Sequence, residues 1–259
     1  MKVVILAGGY GTRISEESYL KPKPMVAIAD APILWHIMKY YSSYGFNQFI
    51  ICCGYKGYVI KEYFADYYLH RSDITFDFTK GNEMIVHNNV AEPWKVTLVD
   101  TGIEAQTGAR IHRIKRYVRD EAFMLTYGDG VSDVNLHRLL EFHKERKKTV
   151  TLTAVQMGSK FGVLDFRKDE FSVQRFAEKD KEDGGWINAG FMVVEPEIFS
   201  YLEDDDKLIF EQKPLKTLAE ENKLAAYKHD GFWQCMDTLR EKNMLEAMWN
   251  NGKAPWKVW

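Results

Sequence analysis

The sequence predicts an α/β fold: a single Rossmann-like domain with a central mixed, mostly parallel sheet flanked by helices and a small β-hairpin insertion. Three observations carry this. Apolar runs of strand length end repeatedly at glycine, as in "VVILAGG", "FIICCG" and "FMLTYGDG". Between them lie stretches with apolar residues at helical spacing. Neither a low-complexity linker nor a repeat of solenoid length interrupts the 259 residues, which suffice for one large core.

Residues 2–7 read as a buried strand, and "APILWHIMKYYSSYGF" carries Ile33, Leu34, Ile37, Met38 and Tyr41 on one helical face. "QFIICCG" is a second strand and "YVIKEYFADYYL" a second helix, with Val59, Tyr63 and Tyr67 aligned. "DITFDFTKGNEMIVHNN" alternates on both sides of "KGN", which predicts a tight antiparallel hairpin (74–90) inserted at the sheet's edge. "KVTLVDTG", helix "ARIHRIKRYV", strand "AFMLTYGDG" and helix 136–147 resume the alternation of a parallel sheet. From Thr149 strands follow one another in "TVTLTAVQ", "FGVLDF", "SVQRFAEK" and "WINAGFMVVEP", so the sheet is expected to become mixed. The chain closes with helices in "KPLKTLAEENKL" and "DTLREKNMLEAMWNNG", Gly252 ending the second, and a tail within 238–259. Trp233 is expected in the core, and the tail tryptophans Trp249, Trp256 and Trp259 at a subunit contact.

Composition narrows the function. The apolar fraction of 46% and charged fraction of 28% are those of a soluble globular protein. A net charge of −2 supplies no general attraction for nucleic acid or a membrane surface, so any phosphate binding must be local. The apolar run before the first glycines is too short for a signal peptide core or a membrane span, and a cytoplasmic protein is expected. Cys52, Cys53 and Cys235 lack CxxC spacing and read as reduced packing residues, the first two on opposite strand faces. The histidines show no metal spacing, and zinc is not expected.

"LAGGYGTR" (Leu6, Ala7, Gly8, Gly9, Tyr10, Gly11, Thr12 and Arg13) leaves the carboxyl end of the first strand, where open parallel sheets bind ligands. Glycines let backbone amides approach phosphate oxygens, and Arg13 adds a bidentate donor; a tight turn with a surface arginine is the alternative. The spacing matches neither GxxxxGK[ST] nor GxGxxG. In "KPKPM" prolines are expected to hold Lys21 and Lys23 on a stiff extended segment, making either a second phosphate cation or an ordinary charged loop. "TYGDG" places Gly128 and Asp129 at another strand end, as a magnesium carboxylate or an Asp-Gly turn. Asp237, just before the last helix, is either a second ligand or an N-cap.

Together, "ILAGGYGTR", "KPKPM", "YGDG", "EK" at Glu178 and Lys179, "NAG" beginning at Asn188, and "MDT" resemble the sugar-nucleotide pyrophosphorylases, a nucleotidyltransferase family. Longer stretches, including "FIICCGYKGYVIKEYF", "EPWKVTLVDTG" and "FWQCMDTLREK", resemble its cytidylyltransferase branch acting on glucose 1-phosphate. The resemblance implies magnesium-dependent, in-line attack of glucose 1-phosphate on the α-phosphorus of CTP, giving CDP-glucose and pyrophosphate for deoxyhexose and surface polysaccharide synthesis. It further implies a homo-oligomer, with Arg13, Lys23 and Asp129 catalytic and Asp129 and Asp237 holding Mg2+. Residues 6–13, Lys23, Glu104, Ala109 and Gly128 would contact the nucleotide, and Glu178, Lys179 and Asn188 the sugar phosphate.

Three places depart from the family's pattern. Glu104 and Ala109 replace a small polar residue and a glycine in the nucleotide-recognition loop, Asp180 stands where proline follows "EK", and "ADAP" replaces a glycine-containing turn, with Asp30 as the expected helix cap. Another base, another phosphorylated acceptor, or a non-catalytic nucleotide sensor remain as rival readings. The presence of Arg13, Lys23, Asp129 and Asp237 favours the enzyme.

Overall fold

A computed structural model describes residues 1–11, 14, 19–156, 163–166, 171–177 and 185–259. From the N-terminus, β1 (Val3–Leu6) is followed by the antiparallel pair β2 (Ala27–Ile28) and β3 (Ala31–Pro32), helix α1 (Ile33–Ser43) and β4 (Gln48–Cys53). Next come α2 (Gly57–Ala65), α3 (Tyr67–His70), the hairpin of β5 (Ser72–Asp77) and β6 (Glu83–Asn89), and β7 (Lys95–Asp100). Helices α4 (Thr107–Arg113) and α5 (Lys115–Val118) lead to β8 (Phe123–Tyr127), β9 (Gly130–Ser132) and α6 (Leu136–Arg146). The remainder comprises β10 (Val150–Gln156), β11 (Val163–Phe166), β12 (Val173–Ala177), β13 (Trp186–Asn188), β14 (Met192–Val194), α7 (Lys213–Glu220), β15 (Leu224–Lys228), β16 (Trp233–Cys235) and α8 (Leu239–Asn250).

The main sheet runs β12-β11-β13-β10-β14-β8-β1-β4-β7, with β15 also paired to β10. β7, β4, β1 and β8 are parallel neighbours. The chain steps outward from β1 to β4 to β7, then returns to lay β8 on the other edge of β1. That reversal is a topological switch point, where the loops leaving β1 and β8 part and open a crevice. Beyond β8 the pairing becomes antiparallel, from β14 to β8 and from β10 to β14 and β13, whereas β15 is parallel to β10. The sheet is therefore mixed and parallel at its centre.

Alternation along each central strand feeds two cores. Val3 and Ile5 face one apolar cluster and Val4 and Leu6 the other. Cys53 and Cys52 divide in the same way, and burial pushes both thiols above their usual range. Such continuously apolar strands suit a sheet covered on both faces. Among the described residues no helix is long and apolar enough to cross a membrane.

Several local expectations need correction. The second predicted helix is divided between α2 and α3 at Asp66, and the third between α4 and α5 at Ile114. The hairpin does not extend the main sheet: β5 and β6 form a two-stranded sheet of their own, mostly exposed on both faces. Its turn is a 3-10 segment, Phe78–Lys80, closed by Gly81 at φ 73°. Helix α1 begins at Ile33 with Pro32 in the cap position, so Asp30 caps nothing and lies exposed in the β2–β3 turn. The "KPKPM" segment is not extended, because Lys23–Met25 closes one 3-10 turn. "LAAYK", absent from the predicted strands, becomes β15 after α7 stops at Glu220. Of the tail tryptophans expected at a contact, Trp256 is core instead, while Trp249 and Trp259 are partly buried. Trp256 is 0% exposed and, with Trp249, packs around the buried His36.

Candidate active site

The crevice at the switch point is a pocket of about 440 Å³. Its floor follows from strand register. Leu6 lies opposite Tyr127 on one side and Cys52 on the other, so residues 7–11, Gly128 with Asp129, and Gly54 leave the sheet at the same level. The Gly128 amide donates to the Leu6 carbonyl at 2.9 Å, holding the two strand ends together. A side chain at Gly128 would crowd that carbonyl and Pro24, which is why this position is bare.

The glycine loop is held from below by a residue that sequence reading missed. Arg110, 4% exposed on α4, donates through Nη2 to the Gly8 carbonyl at 2.9 Å. Its Nη1 donates to the Thr101 hydroxyl at 2.7 Å and to the carbonyls of Gly102 and Cys53 at 2.8 and 3.2 Å. One guanidinium thus ties the ends of β1, β4 and β7 together. Gly8 and Gly54 are bare for this reason, since a Cβ at either would overlap the guanidinium. Gly9, by contrast, is exposed, and a Cβ there would meet open space. Gly11 adopts φ 66°, which a side chain would resist. The available signal was a lone charge among Gly108, Ala109 and Ile111 on the buried face of α4.

Three charged groups converge on one wall. Lys23 Nζ donates to Asp129 Oδ2 at 2.6 Å and to Asp237 Oδ1 at 2.5 Å. Pro22 and Pro24 set the turn that carries Lys23, and its side chain is largely buried. Burial opposes its charge, but the two carboxylates outweigh that and hold the ammonium above the ordinary lysine range. Asp237 is brought to Asp129 by the β9–β16 ribbon, in which Cys235 pairs with Gly130 and the Met236 amide donates to the Asp129 carbonyl at 2.8 Å. The cap of α8 is Thr238, in a capping box with Glu241, so the Asp237 carboxylate is left for Lys23 and the pocket.

Leu6, Ala7, Gly8, Gly9, Tyr10, Gly11, Lys23, Glu104, Gly128, Asp129 and Asp237 all line the pocket. Glu104 accepts a hydrogen bond from the Tyr10 hydroxyl at 2.6 Å, so the nucleotide-loop candidate touches the glycine loop across the rim. Ala109 does not fit its expected contact, because it is 0% exposed within α4 and its side chain meets core. Asn188 sits off the pocket surface but donates to the hydroxyl of Tyr127, a lining residue, at 3.1 Å. Thr12, Arg13, Glu178 and Lys179 lie outside the described residues.

Two carboxylates converging on one buried cation form a hard-oxygen donor pair of the kind magnesium takes together with phosphate oxygens and water. Among the described residues no group of three or more His, Cys, Asp and Glu side chains gathers to hold a metal.

The profile of the family described as Nucleotidyl transferase matches residues 2–249. A glucose-1-phosphate cytidylyltransferase of Salmonella typhimurium is 56% identical over the whole length of both chains. A probable glucose-1-phosphate cytidylyltransferase of Bacillus subtilis is 45% identical, again over both full lengths. Among solved structures, HddC from Yersinia pseudotuberculosis superposes with a TM-score of 0.74 at 23% identity, covering 96% of this chain and 99% of that one. A UDP-glucose pyrophosphorylase complexed with UDP-glucose gives a TM-score of 0.76 at 17% identity, covering 97% and 98%. These two structural likenesses concern the fold alone.

Proposed function

From the premise that the chain belongs to the nucleotidyl transferase family, we propose that it transfers a cytidylyl group from CTP to glucose 1-phosphate, releasing pyrophosphate. The observation that carries this reading is the convergence of Lys23, Asp129 and Asp237 beside a glycine loop at the switch point. Identity of 56% to a cytidylyltransferase over full length supports the choice of substrates.

Displacement at the α-phosphorus needs little proton transfer; it needs alignment and neutralised charge. The exposed Gly9 and the αL turn at Gly11 suit a triphosphate laid across the loop. Lys23 is a cation at the pocket wall that meets charge on the α-phosphate, and Arg13 is assigned to the leaving pyrophosphate. Asp129 and Asp237 would hold Mg2+, which supplies further neutralisation of phosphate charge when bound. Glu104 is an acceptor-only carboxylate, and it favours a base that presents an amino group, as cytosine does, over uracil with a carbonyl there. Ala109 acts in this reading only by packing under that loop, while Glu178, Lys179 and Asn188 are assigned to the sugar phosphate. The working protein is placed in the cytoplasm as a homo-oligomer feeding surface polysaccharide synthesis.

The test is pyrophosphate release with magnesium and glucose 1-phosphate, supplying CTP, UTP, dTTP, ATP and GTP separately. Release with CTP alone is expected. Release with a different nucleotide moves the enzyme to a sister specificity, and silence with all five overturns the reading.

A further inference from the structure

Behind the pocket wall, Glu211 joins two residues that face the ligand space. Its Oε1 accepts the Tyr127 hydroxyl at 2.5 Å and its Oε2 accepts the Thr107 hydroxyl at 2.6 Å; both partners line the pocket. Glu211 itself is half-buried in the turn before α7 and does not line the pocket.

A carboxylate only accepts, so the hydrogen of the Tyr127 hydroxyl is committed to Glu211. The phenol oxygen is thereby left as an acceptor, and Asn188 Nδ2 fills that role at 3.1 Å. This orientation puts Asn188 Oδ1 on the Gly190 amide, which donates to it at 3.0 Å. Every group along the line has one polarity, fixed at one end by the Glu211 carboxylate, which only accepts, and at the other by the Gly190 N–H, which only donates. The second Asn188 amide hydrogen has no acceptor among the described residues. Burial, reinforced by Glu211, holds the Tyr127 phenol far above its usual range, which keeps its proton in place.

We propose that Glu211 is a positioning residue for the acceptor substrate: by keeping the Tyr127 oxygen an acceptor it braces the Asn188 amide, whose carbonyl is held by the Gly190 N–H, so that its N–H stays presented to an oxygen of the sugar phosphate. This rests on the reading of Asn188 as a sugar-phosphate contact. With its other oxygen Glu211 also anchors Thr107, whose hydroxyl accepts the Phe210 amide at 2.9 Å, so the same carboxylate supports the first turn of α4. A purely structural role would run through that second contact and would disturb the nucleotide side.

The discriminating variant is Glu211→Gln, whose amide matches the carboxylate in shape but can donate to Tyr127, turning the phenol hydrogen onto the Asn188 N–H and breaking the line. Wild-type turnover with CTP and glucose 1-phosphate is measured first, and its absence sinks the functional reading and this proposal together. With an active wild type, Glu211→Gln is expected to raise KM for glucose 1-phosphate about tenfold. Its calorimetric Kd for CTP should stay within twofold of wild type. Asn188→Ala should give a similar rise, and the double variant no more than either alone, because both break one line. Unchanged KM, a parallel loss of CTP affinity, or additive losses in the double variant would each overturn the role of Glu211 while leaving the cytidylyltransferase reading intact.

Discussion

The guanidinium of Arg110 is bound to the carbonyl of Gly8 at 2.9 Å, linking the buried face of α4 to the glycine loop after β1. Loop, β4 end and β7 end therefore move as one body. Arg110→Lys keeps the charge but cannot span acceptors on Gly8, Thr101, Gly102 and Cys53 together. The Gly8 and Cys53 carbonyls keep the Tyr55 and Thr101 amides as donors, so what is lost is the charge-assisted bonds themselves, at about 1.5–3 kcal/mol each, and a loss of roughly 3 kcal/mol is expected in urea unfolding. Gly8→Ala should show a comparable loss, because the new methyl displaces the guanidinium. Wild-type stability in either variant would remove the clamp.

Lys23 occupies the space between Asp129 and Asp237 as their counter-cation. A divalent ion must compete with that ammonium for the same oxygens. Lys23→Met should therefore tighten Mn2+ binding in the absence of nucleotide by about tenfold, or about 1.4 kcal/mol, as read by electron paramagnetic resonance titration. The same variant should lose kcat far more than triphosphate affinity, since its charge is assigned to the transition state. Weaker Mn2+ binding would show that Lys23 supports the ion instead of competing with it.

Asp129→Asn is expected to abolish turnover with the fold intact by circular dichroism, and EDTA should silence the wild-type enzyme until Mg2+ is restored. Near-normal turnover of the variant at saturating Mg2+ would remove Asp129 from the metal site.

Glu104 offers a selectivity test separate from catalysis. Glu104→Gln adds an amide donor at the pocket rim, so the ratio of kcat/KM for CTP over UTP should fall by about tenfold. An unchanged ratio would place base selection elsewhere.

His36 is buried with its Nε2 at 3.0 Å from the Ile28 carbonyl and its Nδ1 at 3.4 Å from Trp256 Nε1, an arrangement that needs the neutral ring. Desolvation pushes its pKa down to about 4 from 6.5. The unfolded chain then binds the proton more readily than the folded one between those values. His36 accordingly supports stability fully above pH 6.5, and that support drains away as pH falls toward 4, by roughly 3 kcal/mol at most. His143, also shifted downward by burial, acts in the same direction. His36→Gln should flatten the fall in urea midpoint between pH 7 and 5; an equally steep fall would acquit His36.

Much of this chemistry was legible because its signals are local. Glycine after an apolar run marks a strand end, and the opposite faces of Cys52 and Cys53 follow from a period of two residues. Arg110 was missed because its acceptors are backbone carbonyls on three separate segments, which no spacing encodes. Asp237 was ambiguous for a similar reason: it precedes a helix, and only the folded chain shows that Thr238 takes the cap in its place. Trp256 was placed outward because aromatic content cannot distinguish a core from a contact, and its burial depends on its packing against His36.

The sequence by itself determined the α/β class, the succession of central strands and the residue types of the glycine loop, Lys23, Asp129 and Asp237, because strand and helix periodicities are written over a few neighbouring residues. Tertiary structure alone decided that Asp237 meets Asp129 across the β9–β16 ribbon, that Lys23 stands between them, and that Glu211 reaches Asn188 through Tyr127. Those meetings depend on strand register and on charges finding partners once water is excluded, and both are properties of the assembled sheet.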